Sequence, residues 1–313
     1  MPKAVLIPQS FTETGRKVFR DTDIQMIEVP AVNNDALLQY ADQIQGAIVM
    51  LDPISNETYP HTPNLKILAR VGVGYNNIDP QGAAQHGIWV TITPKANYNS
   101  VAEAILGGIL LASRDMYQRN QLLINGNWSK GHAPAGHDIA GQSLGIIGYG
   151  RIGHALATKA AALGMNILVN NGRHHKDPEV GTAVSLDDLL ANSDYVSLSA
   201  PVTTETTGMM NRNTFSKMKP TASLINFGRG QLVNHNDLID ALKNNTIHSA
   251  VLDAFQQEPL PVNDELLSLP NVFLTPHIGG GTTDAINRGC QDAASEVVRV
   301  LSGNQPLWPV NQL

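Results

Sequence analysis

The sequence predicts an α/β protein of two domains, each built on a parallel sheet. Its 313 residues suit roughly two domains of about 150 residues each. Hydrophobic residues make up 42% of the chain and charged residues 15%, a composition that fits packed cores and not a disordered chain. Short apolar runs that end at Pro, Gly, Asp or Asn alternate with helical stretches along the chain, which is the pattern of strand–helix–strand units.

Four strands are predicted in the first domain, at residues 3–7, 47–50, 67–70 and 89–91. Helical stretches separate them, for example residues 35–43. A turn at residues 93–99, which contains Pro and Asn, marks a change of composition. Ser100 and Glu103 then match a capping box, in which the serine would begin a nearly all-apolar, buried helix at residues 101–113.

A second alternating series follows, with six predicted strands at residues 143–147, 166–170, 195–198, 223–226, 249–252 and 272–275. Six strands with helices between them form a complete doubly wound sheet. The last predicted helix spans residues 283–301 and needs a surface to pack on. We therefore expect residues 100–287 to form the second domain, and residues 288–313 to return and complete a first domain of residues 1–99.

Charge and cysteine content exclude several classes of protein. Lys and Arg number 21 against 27 Asp and Glu, so the net charge is −6 and no overall attraction for nucleic acid is expected. The single Cys290 can form neither a disulfide framework nor a multi-cysteine metal site, and we expect no metal. The most apolar stretch, residues 104–112, is too short to cross a bilayer, and the first residues lack a signal-peptide pattern. These features predict a cytoplasmic protein with no membrane partner.

A glycine-rich turn predicts a dinucleotide site. Gly148, Gly150 and Gly153 match G-x-G-x-x-G between a hydrophobic strand and an Ala-rich helix at residues 154–163. Such glycines permit a tight turn, close approach of a pyrophosphate and close packing of helix on strand. An ordinary strand-to-helix turn is the alternative, because glycines are common in turns. The surrounding strand–helix–strand unit favours the dinucleotide, and hence a Rossmann-like domain.

The end of the next strand indicates which dinucleotide binds. NAD sites usually carry an Asp or Glu about 20 residues past the glycine turn, where it binds the ribose 2′-hydroxyl. In this sequence Asn171, Gly172, Arg173 and His174 come first, and the first acid is Asp177. Because arginine can grip a 2′-phosphate, this run favours NADP, with NAD as the weaker alternative. A solvated basic loop without function is the other interpretation.

Three ionisable residues follow predicted strands in the second half of the chain. Arg229, Glu258 and His277 each stand in a loop behind a parallel strand, where open α/β sheets bind their ligands. Arginine can hold a carboxylate, histidine can give a proton to a ketone, and an adjacent glutamate can orient the ring and favour its charged form. Each residue alone could be an ordinary surface or core residue, but their shared position indicates a catalytic site.

Over nearly its full length the chain resembles the D-isomer-specific 2-hydroxyacid dehydrogenase family. The resemblance rests on residues 70–79, residues 93–103, the glycine turn, Pro201 with residues 203–208, and the three polar loops. It implies two Rossmann-like, doubly wound parallel-sheet domains with the substrate cleft between them. A homodimer is also implied. We place residues 115–139 in its interface, because this long connection contains several apolar residues; a loop packed on itself is the alternative.

The resemblance also implies roles for individual residues. Arg229 would bind the substrate carboxylate and carbonyl, and His277 would be the general acid/base with Glu258 as its partner. The backbone amides of Val73 and Gly74 would hold the substrate carboxylate. The glycine turn, the basic run and the resemblance together give the expected cofactor residues, which are Gly148, Gly150, Arg151, Ile152, Gly153, Asn171, Arg173, His174, Pro201, Thr206 and Asp253. Of these, Asp253 would contact the nicotinamide amide.

Departures from the family pattern bear on the substrate. Asn76, Lys95, Tyr98 and Phe227 replace residues more common in the family, and residues 51–54 offer no cation for a second anionic group. Phosphoglycerate is therefore not expected. The basic run is similar to that of NADPH-using glyoxylate and hydroxypyruvate reductases, which predicts reduction of a small 2-oxo acid to its D-2-hydroxy acid. A dinucleotide-sensing, corepressor-like interaction protein is the alternative; such proteins tend to carry disordered tails, and we expect none here.

Overall fold

A computed structural model describes residues 3–128, 135–172 and 178–313. The chain divides into two compact units, Met1–Asn97 with Gly281–Leu313, and Tyr98–Gly280. The expected boundaries at 99/100 and 287/288 lie close to these, but the helix that begins at Thr283 falls entirely in the first unit. Thr282 is the N-cap that begins this helix, its hydroxyl accepting from the Ala285 N–H at 3.0 Å.

The strands, in chain order, are β1 (Lys3–Pro8), β2 (Ile24–Val29), β3 (Gly46–Val49), β4 (Ile67–Arg70), β5 (Trp89–Thr91), β6 (Ser143–Ile147), β7 (Asn166–Asn170), β8 (Thr182–Ala183), β9 (Tyr195–Leu198), β10 (Ser223–Asn226), β11 (Ser249–Leu252) and β12 (Val272–Leu274). The α-helices are α1 (Glu13–Arg20), α2 (Asn34–Gln39), α3 (Pro80–Gln85), α4 (Tyr98–Ser113), α5 (Met116–Ile124), α6 (Arg151–Ala162), α7 (Leu186–Asn192), α8 (Arg212–Phe215), α9 (His235–Lys243) and α10 (Thr283–Leu301). Short 3-10 helices span Asn56–His61, Gly230–Leu232 and Glu265–Ser268.

The first unit is a five-stranded parallel sheet in the order β2-β1-β3-β4-β5. Successive residues of β1 point to opposite faces, as the period of a strand requires. Val5 packs with Ile67 and with Ala293 of α10 on one face, while Leu6 packs with a separate apolar cluster on the other. Residues of α10 therefore complete the core around the sheet of the first unit.

Strand β2 is the strand of the first unit that the sequence reasoning missed. Its residues pair in parallel with β1, from Lys3 opposite Ile24 to Pro8 opposite Val29. As the edge strand it is only partly buried, and Gln25 and Glu28 interrupt its apolar residues. A strand of this kind lacks the continuous apolar run that marks a buried parallel strand.

The second unit is a seven-stranded parallel sheet in the order β12-β11-β10-β9-β6-β7-β8. All six strands predicted for it are confirmed, with only the last bound differing, and β8 adds a short seventh. Strand β6 has β9 on one side and β7 on the other, so the strand order reverses there. Open α/β sheets bind ligands beyond the carboxyl ends of the strands at such a reversal.

The predicted capping box is wrong, because helix α4 begins at Tyr98, three residues earlier than expected. Ser100 lies buried inside the first turn and is not the residue that precedes the helix. Glu103 accepts hydrogen bonds from the Asn99 side chain at 2.8 Å and from Lys159 at 3.2 Å. The predicted helices at residues 35–43 and 154–163 are also shifted, to α2 and α6. Throughout the three described ranges, no helix is long and apolar enough to span a membrane.

Candidate active site

The glycine turn joins β6 to α6 in a form that fits a dinucleotide. Gly148 has φ of +96°, and a Cβ on it would lie 2.4 Å from the Ala200 backbone N, so only glycine is accommodated. A Cβ on Gly153 would lie 2.2 Å from the Gly148 carbonyl oxygen, which shows how closely the helix meets the turn. At Gly150 a Cβ would meet nothing within 4 Å. The turn therefore leaves open space at Gly150. The next residues, Arg151 and Ile152, begin α6, and their N–H groups can bind a diphosphate in that space.

Tyr149 ties the end of β7 to this turn. Its backbone N–H donates to the Asn171 side-chain oxygen at 3.0 Å, and its hydroxyl lies 3.3 Å from the Val180 carbonyl and 3.1 Å from the Val180 N. Glu179, just before Val180, pairs with His154 of α6 at 3.1 Å. Arg173 and His174, the expected 2′-phosphate ligands, lie outside the described residues. Asn171 is thus placed beside the glycine turn, as a cofactor residue requires.

Pro201 and Thr206 form a turn behind β9, the neighbour of β6 in the sheet. The Thr206 hydroxyl donates to the Pro201 carbonyl at 2.7 Å and accepts from the Thr203 N–H at 2.8 Å. These bonds fold the segment onto itself at the carboxyl end of the strand, on the same side as the glycine turn. The position suits the part of a dinucleotide that lies beyond its diphosphate.

Arg229 stands in the loop behind β10, and Asn226 shapes that loop. The buried Asn226 side chain donates to the Arg229 carbonyl at 3.1 Å and accepts from the Gly228 N–H at 3.1 Å. The Arg229 guanidinium is half-buried and donates to the Gly228 carbonyl at 2.9 Å. Sequence reasoning did not single out Asn226. The only signal for Asn226 in the sequence was that a polar residue ends a buried strand.

Glu258 and His277 are brought together by the neighbouring strands β11 and β12. The His277 Nδ1 lies 2.8 Å and 3.0 Å from the two Glu258 carboxylate oxygens, and Oε1 also accepts from the Phe255 N–H at 3.0 Å. The two side chains are 45% and 40% exposed. With Nδ1 bonded to the carboxylate, Nε2 is the nitrogen that can exchange a proton with a substrate.

His277 lies in a constrained loop, residues 275–279, which we term the histidine loop. Its φ is +55°, a left-handed conformation that is uncommon for a residue other than glycine. Its N–H donates to the Thr275 carbonyl at 3.0 Å. Backbone conformations of this kind persist where the surroundings hold them, and they cluster at functional sites.

Asp253 directly follows β11 and anchors the histidine loop through hydrogen bonds. It is 1% exposed, and its Oδ1 accepts from the Thr275 hydroxyl at 2.6 Å and from the Ile278 N–H at 2.8 Å. Its Oδ2 accepts from the Gly279 N–H at 2.7 Å. Both carboxylate oxygens thus bind the loop that carries His277, a role that the sequence did not reveal.

The three polar loops of the second unit are in direct contact. A Cβ on Gly230, next to Arg229, would lie 1.9 Å from the carbonyl carbon of Phe255, in the loop behind β11 that carries Glu258. A Cβ on Gly279 would lie 2.7 Å from the ring of Phe227, which precedes Arg229. Val73 and Gly74 lie in the first unit, in the loop between β4 and α3. The structure therefore brings Arg229, Glu258 and His277 to one edge of one sheet.

A dinucleotide-type turn, an arginine and a histidine–carboxylate pair, all at the same edge of one sheet, are features of an oxidoreductase that works with a dinucleotide cofactor. The profile of the "D-isomer specific 2-hydroxyacid dehydrogenase, NAD binding domain" family matches residues 106–279 of the chain. A glyoxylate reductase from Thermococcus onnurineus is 34% identical over 326 residues, which cover 100% of this chain and 97% of the relative.

Two further relatives agree. Glyoxylate/hydroxypyruvate reductase B of Enterobacter agglomerans is 40% identical over 245 residues, 76% of either chain. The crystal structure of an NADPH-dependent glyoxylate/hydroxypyruvate reductase from Sinorhizobium meliloti, in complex with citrate, is 28% identical, with a TM-score of 0.85 and coverage of 99% of this chain and 98% of that one. The chain belongs to the D-isomer-specific 2-hydroxyacid dehydrogenase family, and its cofactor is a nicotinamide dinucleotide.

Proposed function

We propose that this protein is an NADP(H)-dependent reductase of small 2-oxo acids of the glyoxylate or hydroxypyruvate type, which forms the D-2-hydroxy acid. The contact of Glu258 with His277 Nδ1, at the sheet edge where Arg229 also lies, is the observation that carries this proposal. Relatives that cover most of the chain are named glyoxylate reductase or glyoxylate/hydroxypyruvate reductase, which supports the substrate class.

The roles of the side chains follow from their chemistry. A bound nicotinamide dinucleotide supplies the hydride to C2 of the acid. The Arg229 guanidinium binds the substrate carboxylate with paired hydrogen bonds and draws electron density from the carbonyl. His277 Nε2 gives its proton to the carbonyl oxygen as negative charge develops there. Glu258 orients the ring and stabilises its charged form, and the Val73 and Gly74 amides bind the substrate carboxylate.

A substrate panel tests the activity. We expect the purified protein to oxidise NADPH in the presence of glyoxylate, hydroxypyruvate or pyruvate. Arg229→Ala should raise the KM for the 2-oxo acid and also lower kcat, because the guanidinium acts before and during hydride transfer. Arg212→Ala is the matched control, since Arg212 is an exposed arginine of the same unit that pairs with Asp240 at 2.7 Å. Absence of turnover with every acid and both cofactors would contradict the proposal and favour a dinucleotide-sensing interaction protein.

The preference for NADP rests on Arg173 and His174. The glycine turn is followed by these basic residues before the first acid, and the Sinorhizobium meliloti relative is named NADPH-dependent. We expect kcat/KM to be higher with NADPH than with NADH. Arg173→Ala should mainly raise the KM for NADPH, because the 2′-phosphate contact is equally strong in the ground and transition states. Equal use of both cofactors by the wild-type enzyme would contradict this preference.

We also propose that the chain forms a homodimer through residues 115–139. Helix α5 has no buried residue, and Leu122, Leu123, Ile124 and Trp128 are exposed around its end, Trp128 to 75%. Several large exposed apolar side chains in one short segment are typical of a contact between proteins. Analytical ultracentrifugation at micromolar concentration should give the mass of two chains, and Trp128→Asp should shift the distribution toward one. A monomeric wild-type protein would contradict the proposal.

A cytoplasmic location remains a prediction from the sequence.

A further inference from the structure

The loop that carries Val73 and Gly74 is held at both ends by polar side chains. We term residues 72–77 the amide loop. Within the described part of the chain, the N–H groups of Val73 and Gly74 have no hydrogen-bond acceptor. Two adjacent N–H groups without acceptors can bind one carboxylate, provided that their directions are fixed before the substrate arrives.

Thr93 fixes the first end of the amide loop. It follows β5, is 1% exposed, and makes two hydrogen bonds with Gly72. Its hydroxyl oxygen accepts from the Gly72 N–H at 2.7 Å, and its own backbone N–H donates to the Gly72 carbonyl at 2.9 Å. One buried residue therefore holds both backbone polar groups of Gly72.

Asn77 fixes the second end. Its side-chain amide donates to the Asp52 carbonyl at 2.9 Å and to the Met50 carbonyl at 3.4 Å, in the loop behind β3. Its own carbonyl accepts from the Ile54 N–H at 2.8 Å. Because β3 and β4 are neighbours in the sheet, these bonds tie the amide loop to the loop behind the neighbouring strand.

The geometry at Gly72 links Thr93 to the direction of the Val73 N–H. A peptide group is planar, so the direction of the Gly72 carbonyl fixes the direction of the Val73 N–H on the opposite side of the same plane. Gly72 has φ of +128°, and the Arg70 guanidinium, which donates to the Val71 carbonyl, occupies the place where a Cβ would stand. The two bonds of Thr93 thus hold the two peptide planes on either side of a residue in an unusual conformation.

We propose that Thr93 is a positioning residue for substrate binding, which aims the Val73 and Gly74 N–H groups at the carboxylate of the 2-oxo acid. This inference rests on the proposed function. Loss of the Thr93 hydroxyl leaves the partly buried Gly72 N–H without an acceptor, so the Val71–Gly72 peptide plane can turn. Rotation there changes φ of Gly72 and disturbs the next peptide plane, which carries the Val73 N–H. The substrate then meets amides that point elsewhere, whereas the dinucleotide site in the second unit is unchanged.

Steady-state kinetics with matched variants tests the proposal. Thr93→Val keeps the shape of the side chain and removes the acceptor, and we expect it to raise the KM for the 2-oxo acid about tenfold, the effect of one lost hydrogen bond. The NADPH dissociation constant, measured by fluorescence titration, should not change. Thr93→Ser restores the hydroxyl and should restore the KM. Thr62→Val is the control, since the Thr62 hydroxyl is also buried in the first unit and donates to the Tyr59 carbonyl at 3.0 Å.

The outcomes separate this inference from the proposed function. A wild-type enzyme that reduces no 2-oxo acid would end both. An active wild-type enzyme whose Thr93→Val variant keeps the substrate KM, or loses cofactor affinity equally, would overturn the role of Thr93 alone. If Thr93→Val does not fold, Asn77→Ala releases the other end of the amide loop and should give the same rise in substrate KM, and an unchanged KM there would overturn the proposal.

Discussion

The amide loop and the histidine loop solve similar structural problems with different anchors. Each follows a parallel strand at its carboxyl end, and each is held by a buried polar residue behind the neighbouring strand. In the first unit that residue is Thr93, whose hydroxyl accepts one N–H. In the second unit it is Asp253, whose carboxylate accepts two N–H groups and a hydroxyl. Asp253 therefore makes more hydrogen bonds than the Thr93 hydroxyl, and it holds the loop that must place the His277 side chain.

The two anchors differ because the two loops present different chemical groups. The amide loop offers backbone N–H groups, and Gly72 adopts its positive φ without a steric penalty. His277 adopts a positive φ with a full side chain, which costs on the order of 1–3 kcal/mol and persists only when the surroundings hold it. Hydrogen bonds to a charged acceptor are about twice as strong as those between neutral groups. A carboxylate is therefore the appropriate anchor for the histidine loop.

The largest expected effect comes from removing the side chain that the histidine loop presents. His277→Ala should lower kcat by about 10²–10⁴-fold, because the carbonyl oxygen loses its proton donor. NADPH affinity should be unchanged. The exposed His248, which pairs with Asp115 at 2.8 Å, provides the control variant His248→Ala. Near wild-type turnover in His277→Ala would rule out the acid/base assignment.

Removing the charge of the anchor should have the next largest effect. Asp253→Asn keeps the shape but turns one acceptor oxygen into a donor facing a loop N–H, which should lower the free energy of unfolding by about 1–3 kcal/mol. We expect kcat to fall by about tenfold or more, since a misplaced reacting group is costly. Calorimetry and kinetics measure the two effects. A raised NADPH KM with unchanged kcat would instead favour the nicotinamide contact that the sequence resemblance implies.

Glu258→Gln tests the partner of the histidine and should leave substantial activity. The amide keeps the shape of the side chain but offers the His277 ring one oxygen acceptor in place of two and no negative charge, so the ring is held less firmly. We expect kcat for reduction to fall, by less than in His277→Ala, with the KM for NADPH unchanged. Glu103→Gln, at an exposed glutamate that pairs with Lys159, is the control. An unchanged kcat in Glu258→Gln would remove the role of Glu258 as the partner of the histidine.

The smallest effect concerns a buried acid outside both loops. Glu296 of α10 accepts from the Leu307 and Trp308 N–H groups at 2.9 Å and 3.1 Å, and burial raises the pKa of its carboxyl. The folded state thus binds this proton more readily than the unfolded chain, and stability falls as pH rises above the usual pKa of a glutamate. Glu296→Gln should flatten that dependence and change stability by about 1 kcal/mol, with kcat and KM unchanged. Urea unfolding at several pH values measures the slope, and a changed kcat would contradict the distinction between this acid and Asp253.

Much of the site was predictable because parallel topology places the carboxyl ends of neighbouring strands together. Arg229, Glu258 and His277 each follow a strand in the sequence, and the strands β10, β11 and β12 are neighbours in the sheet. The glycine turn was predictable for a different reason, because its strand, turn and helix follow one another directly in the sequence.

The anchors were not predictable. Thr93 bonds to Gly72 across 21 residues and Asp253 to Gly279 across 26, and no local pattern records such pairs. The positive φ of His277 occurs in a loop that Asp253 holds through tertiary bonds to Thr275, Ile278 and Gly279. Strand β2 was missed because its pairing with β1 outweighed local composition. The start of α4 was misjudged because Ser100 and Glu103 match a capping-box pattern although both lie within the helix.

The return of α10 to the first unit sets an order in which the protein can fold during synthesis. The face of β1 that carries Val5 needs Ala293 and Val297 for its core, yet those residues leave the ribosome after the whole second unit. From residue 97 to residue 301 the ribosome adds 301 − 97 = 204 residues, which takes about 10 to 40 s at roughly 5–20 residues per second. The second unit can close during that time, while the first unit holds an open apolar sheet face. Nascent chains are therefore most vulnerable to aggregation through their earliest residues.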